Sequence, residues 1–176
     1  MQMSDQREIA APVQDVWAAL LNADVLVACV PGATEVTGSA DEGFDAVVTQ
    51  KVGPVKATFK GRVEVSNLVD GQSLTLSGEG KGGAAGFAKG GADVTLAATD
   101  GGTLLSYDVE AKVGGKLAQL GSRLIDGFAK KMADQFFANL QEVLEGPAEA
   151  PEAETEEAAG EEAQQRRGLW KRLRGG

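Results

Sequence analysis

A long apolar stripe near the end of the chain constrains the fold more than any other feature. Large apolar side chains recur every three or four residues over 116–145, which is the spacing of one face of an α-helix. The stripe consists of Leu117, Leu120, Leu124, Phe128, Met132, Phe136, Leu140 and Leu144. A helix of this length would be about 45 Å long. It needs a broad concave surface to cover it, and a curved antiparallel sheet supplies one.

Strand patterns fill most of the chain before this helix. Apolar or small residues alternate with polar ones over 55–65 and 105–113, as in antiparallel strands with one buried face. Weaker strand patterns cover 33–39, 43–52, 73–80 and 87–98. Near the N-terminus, a first strand precedes two short helices, one after Pro12 and one near 23–27. We therefore predict an α+β fold in which a curved antiparallel sheet of about seven strands wraps around a long C-terminal helix.

The connecting loops sort into two groups, because successive antiparallel connections fall at opposite ends of a sheet. One end holds the turns at 40–43, 66–72 and 99–102, named here the acidic hairpins for Asp41, Glu42, Asp70 and Asp100. The other end is named here the glycine-rich rim. We predict that this rim is a mobile cationic mouth that docks on a partner through Pro31, Gly32, Lys51, Gly53, Pro54, Lys81, Gly83, Gly86, Gly114 and Lys116. The alternative is that the lysines only keep the strand ends soluble.

The residue types exclude several chemistries. The chain has no histidine, which rules out Ser-His-Asp and Cys-His catalysis and histidine zinc sites. Cys29 is the only cysteine and is interpreted as a buried small apolar group. The run 78–83 has the form GxGxxG, but it lies between two strands rather than before a helix, so no nucleotide site is predicted. We therefore expect that the protein binds no metal ion and is not an enzyme.

Small residues predict an apolar cavity between the sheet and the helix. Gly61, Gly121, Ala118, Ala129 and Ala133 leave space where larger side chains would otherwise meet. The expected ligand-binding residues are Phe44, Phe59, Phe87, Tyr107, Ala118, Leu120, Gly121, Leu124 and Phe128. The alternative is a filled core, since protein interiors normally pack tightly.

The end of the chain predicts a tethered membrane contact. Residues 1–145 form one domain, 146–165 an acidic disordered tether with seven glutamates, and 166–176 a basic amphipathic tail. In a helical tail, three apolar side chains share one face beside five cations, a pattern that suits an anionic lipid surface. These are Leu169, Trp170 and Leu173, with Arg166, Arg167, Lys171, Arg172 and Arg174. The alternative is a disordered tail with a chance basic end.

Charge and hydropathy predict the location. The tail holds five of the seventeen basic residues and the tether seven of the twenty-six acidic ones, which leaves twelve bases and nineteen acids in 1–145. An acidic domain argues against nucleic acid as a partner. The sequence shows no signal-peptide pattern and no run of about 20 apolar residues. We expect a cytoplasmic protein that is peripheral on the inner face of the cell membrane.

Several motifs follow one another in order along residues 1–145. They are Ala11-Pro12-Val13-x-x-Val16-Trp17-x-x-Leu20, Val30-Pro31-Gly32-Ala33, Lys51-Val52-Gly53-Pro54-Val55-Lys56, Phe59-x-Gly61, Gly115-Lys116-Leu117-Ala118-Gln119-Leu120-Gly121 and Phe136-Phe137. Together they resemble the CoxG family of carbon monoxide dehydrogenase subunits. The resemblance implies a helix-grip, START-like fold, association with a molybdenum-containing carbon monoxide dehydrogenase, and a link from that enzyme to the respiratory membrane.

The resemblance and the residues together suggest a quinone-binding subunit. Electrons from a gas-oxidising enzyme must reach the membrane, and the sequence has no haem, flavin or cluster motif. An apolar cavity that holds menaquinone or ubiquinone would supply a carrier. Two alternatives stay open: a passive membrane recruiter of the dehydrogenase with a filled core, and a small cyclase or hydrolase that uses Tyr107.

Overall fold

The computed structural model describes residues 1–145, so the predicted tether (146–165) and tail (166–176) lie outside the described residues. Residues 1–145 form seven strands and three α-helices in the predicted order: β1 (Gln2–Ile9), α1 (Val13–Leu20), α2 (Ala23–Cys29), β2 (Ala33–Ser39), β3 (Gly43–Val52), β4 (Val55–Val69), β5 (Ser73–Lys81), β6 (Phe87–Thr99), β7 (Gly102–Gly114) and α3 (Ser122–Glu145). Two short 3₁₀ segments lie at Gly83–Ala85 and Gly115–Leu120. The predicted α+β fold is confirmed.

The seven strands form one antiparallel sheet in the order β1-β7-β6-β5-β4-β3-β2. Consecutive strands from β2 to β7 pair with each other, and β1 closes the sheet against β7. On β4 the odd positions from Val55 to Val65 are partly buried and the even ones exposed, which is the predicted two-residue alternation. The sheet therefore has an inner face toward α3 and an outer face in solvent.

The long helix begins later than its apolar stripe predicts. Residues Gly115–Leu120 form a 3₁₀ turn, and Gly121 follows in the left-handed region at φ 93°. Glycine adopts this conformation without the steric penalty that a Cβ would bring, so the chain changes direction there. The prediction of a helix from Lys116 is wrong by six residues. With 24 residues, α3 is about 36 Å long.

The packed core lies between the second half of α3 and the end of the sheet that carries the acidic hairpins. From the helix, Phe137, Leu140 and Val143 are buried, and the rest of the cluster comes from the sheet and the two short helices: Ile9, Ala11, Val16, Trp17, Ala19, Val25, Cys29, Leu74, Val94, Leu96, Leu105 and Tyr107. Cys29 is fully buried there, as predicted.

Polar contacts fix α1 and α2 over this core. The Asn22 side chain caps α2 by accepting from the backbone N–H groups of Asp24 at 2.9 Å and Val25 at 3.3 Å. At the other end of α2, the Asn139 side-chain amide on α3 donates to the Cys29 carbonyl at 2.9 Å. Thr103, fully buried, donates its hydroxyl to the Ala11 carbonyl at 2.7 Å. These contacts tie both short helices to the C-terminal half of α3 and to β7.

Candidate functional site

The inner face of the sheet is filled over only part of its length. On β7, Leu105 and Tyr107 are buried, whereas Val109 and the inward residues that follow it toward the rim are only partly buried. On α3, Leu140 is fully buried, Phe128 is partly buried, and Leu124 is 39% exposed. Apolar side chains that face one another yet keep contact with solvent mark unfilled space. We name this space, between the rim half of the sheet and the first half of α3, the inner groove.

Glycine and alanine make the sheet wall of the inner groove shallow. Gly61, Gly78, Gly80, Gly90 and Ala88 occupy inward positions on the three central strands and are partly buried. At Gly80, an added Cβ would approach nothing closer than the Cβ of Phe59 at 4.0 Å. Because β4, β5 and β6 pair directly here, these small residues form a continuous low strip along the sheet. The open Cβ position among its glycines is that of Gly80, since an added Cβ at Gly78 or Gly90 would collide with the backbone of the neighbouring strand.

Apolar side chains seated on glycines form the mouth of the groove. The Phe59 ring covers Gly82 so closely that an added Cβ at this glycine would collide with the ring. Leu124, near the start of α3, lies over Gly53 in the turn between β3 and β4. A second small set of buried residues lies at the rim end of the groove, separate from the core: Val52, Ala85 and Leu117.

Charge separates the two ends of the molecule. Lys51, Lys81 and Lys116 are exposed at the glycine-rich rim. The acidic hairpins lie at the far ends of the strands, where the Glu145 carboxylate at the end of α3 accepts from the backbone N–H of Ala10 at 2.8 Å. The strand register thus places the lysines at one end of the sheet and the acidic hairpins at the other, as the alternation of the strands predicts. A negatively charged partner surface would be attracted to the rim and repelled by the hairpins.

The structure brings most, but not all, of the nine predicted ligand-binding residues to the inner groove. Phe59, Leu124 and Phe128 lie around the inner groove and its mouth. The prediction for Phe87 is wrong, because Ala88, the next residue along β6, faces inward and Phe87 therefore lies on the outer face of the sheet. Three others lie on the turn before α3 rather than on a helix face, at the mouth: Ala118, Leu120 and Gly121. Tyr107 lies deeper, 6% exposed, with its ring stacked on Phe137 at 5.4 Å between ring centres.

Phe44 is not brought to the groove. It is buried at the acidic-hairpin end of β3, where it pairs with Val63 on β4. Nine residues separate it from Gly53, which is roughly 30 Å along a strand. The predicted rim residues, in contrast, all lie on loops or strand ends at the mouth.

Sequence reasoning missed a polar cluster at the inner end of the groove. Arg7 on β1 donates to the Asp134 carboxylate on α3, and the Asp5 carboxylate lies 3.6 Å from the same Arg7 nitrogen. The Arg7 Cζ lies 5.2 Å from the centre of the Phe137 ring, and the Lys130 ammonium lies 3.3 Å from Asp134. The signal was present, because alternation from the buried Ile9 places Arg7 on the inner face.

The electrostatics of this cluster hold both partners in their charged forms. Burial alone would lower the pKa of Arg7, but the Asp134 carboxylate and the Tyr107 phenol outweigh it and raise that pKa above its ordinary value. The hydrogen bond from Arg7 is the main cause that lowers the pKa of Asp134, with burial opposing it and Lys130 adding to it. Arg7 is therefore a fixed cation on the edge strand β1, at the inner end of the groove, beside carboxylates that are about half exposed.

Two open depressions lie on the outer face of the sheet, away from the groove. One, of about 410 Å³, is lined by charged side chains that include Lys60, Arg62 and Glu79. The other, of about 930 Å³, spans β5 to β7 and includes Lys89, Asp93 and Glu110. Their charged linings suit water better than an apolar ligand.

Residues 1–145 contain no cluster of three or more histidine, cysteine, aspartate or glutamate side chains that could hold a metal ion. None of the helices described in this range is long and apolar enough to cross a membrane.

Comparisons with known proteins agree on family and fold. The CoxG family of carbon monoxide dehydrogenase subunits matches residues 6–145. A conserved protein from Geobacillus kaustophilus is 26% identical, with a TM-score of 0.76 over 82% of this chain and 95% of its own. A START superfamily protein from Mycobacterium smegmatis is 13% identical, with a TM-score of 0.61 over 82% of this chain and 97% of its own. No curated protein matches the chain.

Proposed function

The chain belongs to the CoxG family of carbon monoxide dehydrogenase subunits and has a START-like helix-grip fold, and from this premise we propose that it is a quinone-carrying accessory subunit. Its partner would be a carbon monoxide dehydrogenase or a similar gas-oxidising enzyme. The inner groove would hold a menaquinone or ubiquinone, and the glycine-rich rim would dock on the enzyme. The predicted basic tail would hold the protein at the inner face of the cell membrane.

The main support for this proposal is that side chains pack only part of the space between the sheet and α3. Beyond Val109, which packs against the core, β7 continues for five residues to Gly114, roughly 16 Å, and its inward residues there are only partly buried. Phe59 on β4, and Leu124 and Phe128 on α3, add apolar surface that is not fully buried. Each methylene group that such a groove buries contributes about 0.8 kcal/mol to binding. A long, narrow, apolar ligand fits this shape, and a prenyl chain is such a ligand.

The sequence lacks the residues that would ligate a redox metal cofactor, so the bound ligand itself would have to carry the electrons. It has no histidine and one cysteine, and that cysteine is buried in the core, so the side chains themselves offer no haem or iron–sulfur ligand set. A protein that links an oxidising enzyme to the respiratory chain therefore needs a mobile carrier. A quinone unites the required redox chemistry with the apolar chain that the groove accepts.

Quinone extraction from lipid vesicles tests the proposal. The full chain is incubated with liposomes of phosphatidylglycerol and phosphatidylcholine that contain menaquinone, the vesicles are removed by flotation, and quinone in the protein fraction is measured by its absorbance. We expect up to one quinone per chain, and faster quinone reduction when the dehydrogenase and its gas are added. If the protein fraction stays free of quinone, the chain is a passive recruiter.

A further inference from the structure

One donor of the Arg7 guanidinium has no partner. The Arg7 side chain is 23% exposed, but its Nε atom is buried and finds no acceptor within residues 1–145. Leaving a buried donor unpaired costs about 1–3 kcal/mol. The arrangement is consequently unfavourable when the groove is empty, and a ligand acceptor at this position would remove the cost.

The rest of the guanidinium is held firmly in place. One terminal nitrogen of Arg7 donates to Asp134, and the planar group lies over the Phe137 ring. Tyr107 is stacked on that same ring, so its phenol lies beside the guanidinium. The position of the free Nε–H is thus set by contacts from β1, β7 and α3 before any ligand enters. Such preorganisation avoids the entropy cost of ordering a long side chain on binding.

The chemistry of the cluster selects a neutral acceptor. An arginine N–H can only donate, so its ligand must supply an acceptor oxygen. The charges already balance, with two cations (Arg7 and Lys130) against two anions (Asp5 and Asp134). A ligand carboxylate would add an unpaired negative charge to a partly buried site, which is costly. A carbonyl oxygen accepts the hydrogen bond without that cost.

We propose that Arg7 Nε and the Tyr107 hydroxyl form a polar anchor that binds a carbonyl oxygen of an apolar ligand at the floor of the inner groove. The inference rests on the proposed quinone function and deepens it, because it fixes the orientation of the ligand. The carbonyl-bearing head enters first and meets Arg7, and the hydrocarbon chain runs back along the inner face of β7 toward the rim. The head group meets the buried Nε atom, and the chain fills the apolar length.

Infrared spectroscopy of a bound short-chain quinone tests the anchor. The full chain binds decylubiquinone, and the carbonyl stretching band and the Kd are compared for wild type, Arg7→Lys and Tyr107→Phe. Arg7→Lys keeps the positive charge for Asp134 but removes the Nε–H. We expect its Kd to rise by about 10-fold to 100-fold, as for a lost charge-assisted hydrogen bond. The wild-type carbonyl band should lie at lower frequency than that of free quinone, and Arg7→Lys should abolish the shift.

The matched control is Arg62→Lys. Arg62 also pairs with two acids, Asp45 at 3.1 Å and Glu64 at 3.2 Å, but on the outer face. It should bind decylubiquinone as wild type does, with the band shift intact. Tyr107→Phe keeps the stacking on Phe137, so it serves as a second test if Arg7→Lys proves poorly folded by circular dichroism.

The outcomes separate the two claims. If wild type does not bind decylubiquinone, both the proposed function and the anchor are overturned. If wild type binds it, but Arg7→Lys and Tyr107→Phe bind equally well with an unchanged carbonyl band, only the anchor is overturned. The binding of decanoic acid, which has a hydrocarbon chain of similar length but a carboxylate head, is measured for the same variants. Should Arg7→Lys weaken decanoic acid more than decylubiquinone, the site selects a carboxylate and the neutral-carbonyl assignment is wrong.

Discussion

Replacing Gly80 with leucine should close the inner groove and leave the fold intact. Gly80 faces inward on β5, and its Cβ position is free of close contacts apart from Phe59 at 4.0 Å. Leucine would therefore extend over the strip of glycines that forms the sheet wall. The stability should not fall, because a glycine within a strand costs roughly 0.5–1 kcal/mol relative to alanine.

The effect on binding follows from the apolar contact that is lost. A leucine side chain adds four carbon atoms to the groove, enough to displace about one five-carbon prenyl unit. At about 0.8 kcal/mol for each methylene group, the loss is about 4 kcal/mol, which corresponds to roughly a thousandfold weaker binding. Partial rearrangement of the chain would reduce this, so a loss of at least about 100-fold is the expected result.

The assay compares Gly80→Leu with Gly127→Leu. Gly127 is exposed on α3, with no atom within 4 Å of its Cβ position, so the same chemical change there adds a side chain to solvent. Both variants are purified as the full chain and checked by circular dichroism and thermal unfolding. The Kd for decylubiquinone is then measured for each. Native-like Gly80→Leu that binds as tightly as Gly127→Leu would refute the assignment of the ligand to the inner groove.

Three further predictions concern the ends of the molecule and the polar cluster. Replacing the three exposed rim lysines (Lys51, Lys81 and Lys116) with glutamate should weaken dehydrogenase binding in a pull-down. Replacing the aspartates of the acidic hairpins with lysine should weaken it less. Equal effects would show that the enzyme does not dock preferentially at the rim. Truncation of 146–176 should leave a domain that binds decylubiquinone but no longer sediments with anionic liposomes. The five basic residues that are removed could contribute up to about 5 kcal/mol to binding at that surface. If sedimentation is undiminished, the membrane contact lies at the rim instead. Finally, Asp134 has a lowered pKa in the folded state, so the stability it contributes is present above its ordinary value of 3.8 and is lost as the pH falls through the lowered value. Urea unfolding should therefore show Asp134→Asn less stable than wild type at pH 7 and equal to it in strong acid, and a gap that persists there would contradict the assignment.

Much of the fold could be predicted because it depends on local periodicity. Two-residue alternation located the strands, and the turn glycines and aspartates located the hairpins between them. The start of α3 could not be predicted, because Leu117 and Leu120 continue the helical spacing through the 3₁₀ turn. Only the conformation of Gly121 interrupts the helix, and the sequence pattern does not encode the φ angle of a single glycine.

The candidate site was predicted less completely, because it depends on which residues the fold brings together. Phe59 and Phe128 were placed correctly on inward faces, since strand alternation decides the first and helical spacing the second. Phe44 has the same inward pattern, but its distance from the rim along β3 is a property of the register. Arg7 was missed because charged residues in a strand usually face solvent, and its pairing with Asp134 joins residues 127 positions apart.

Solvent extraction of the gently purified full chain tests the central claim most directly. The native protein is isolated without detergent, extracted with organic solvent, and the extract is analysed by mass spectrometry and by its quinone absorbance. The half-filled inner groove predicts an isoprenoid quinone at close to one molecule per chain, and its loss in Gly80→Leu. A folded protein whose extract contains no quinone, or only fatty acids and phospholipid, would contradict the account.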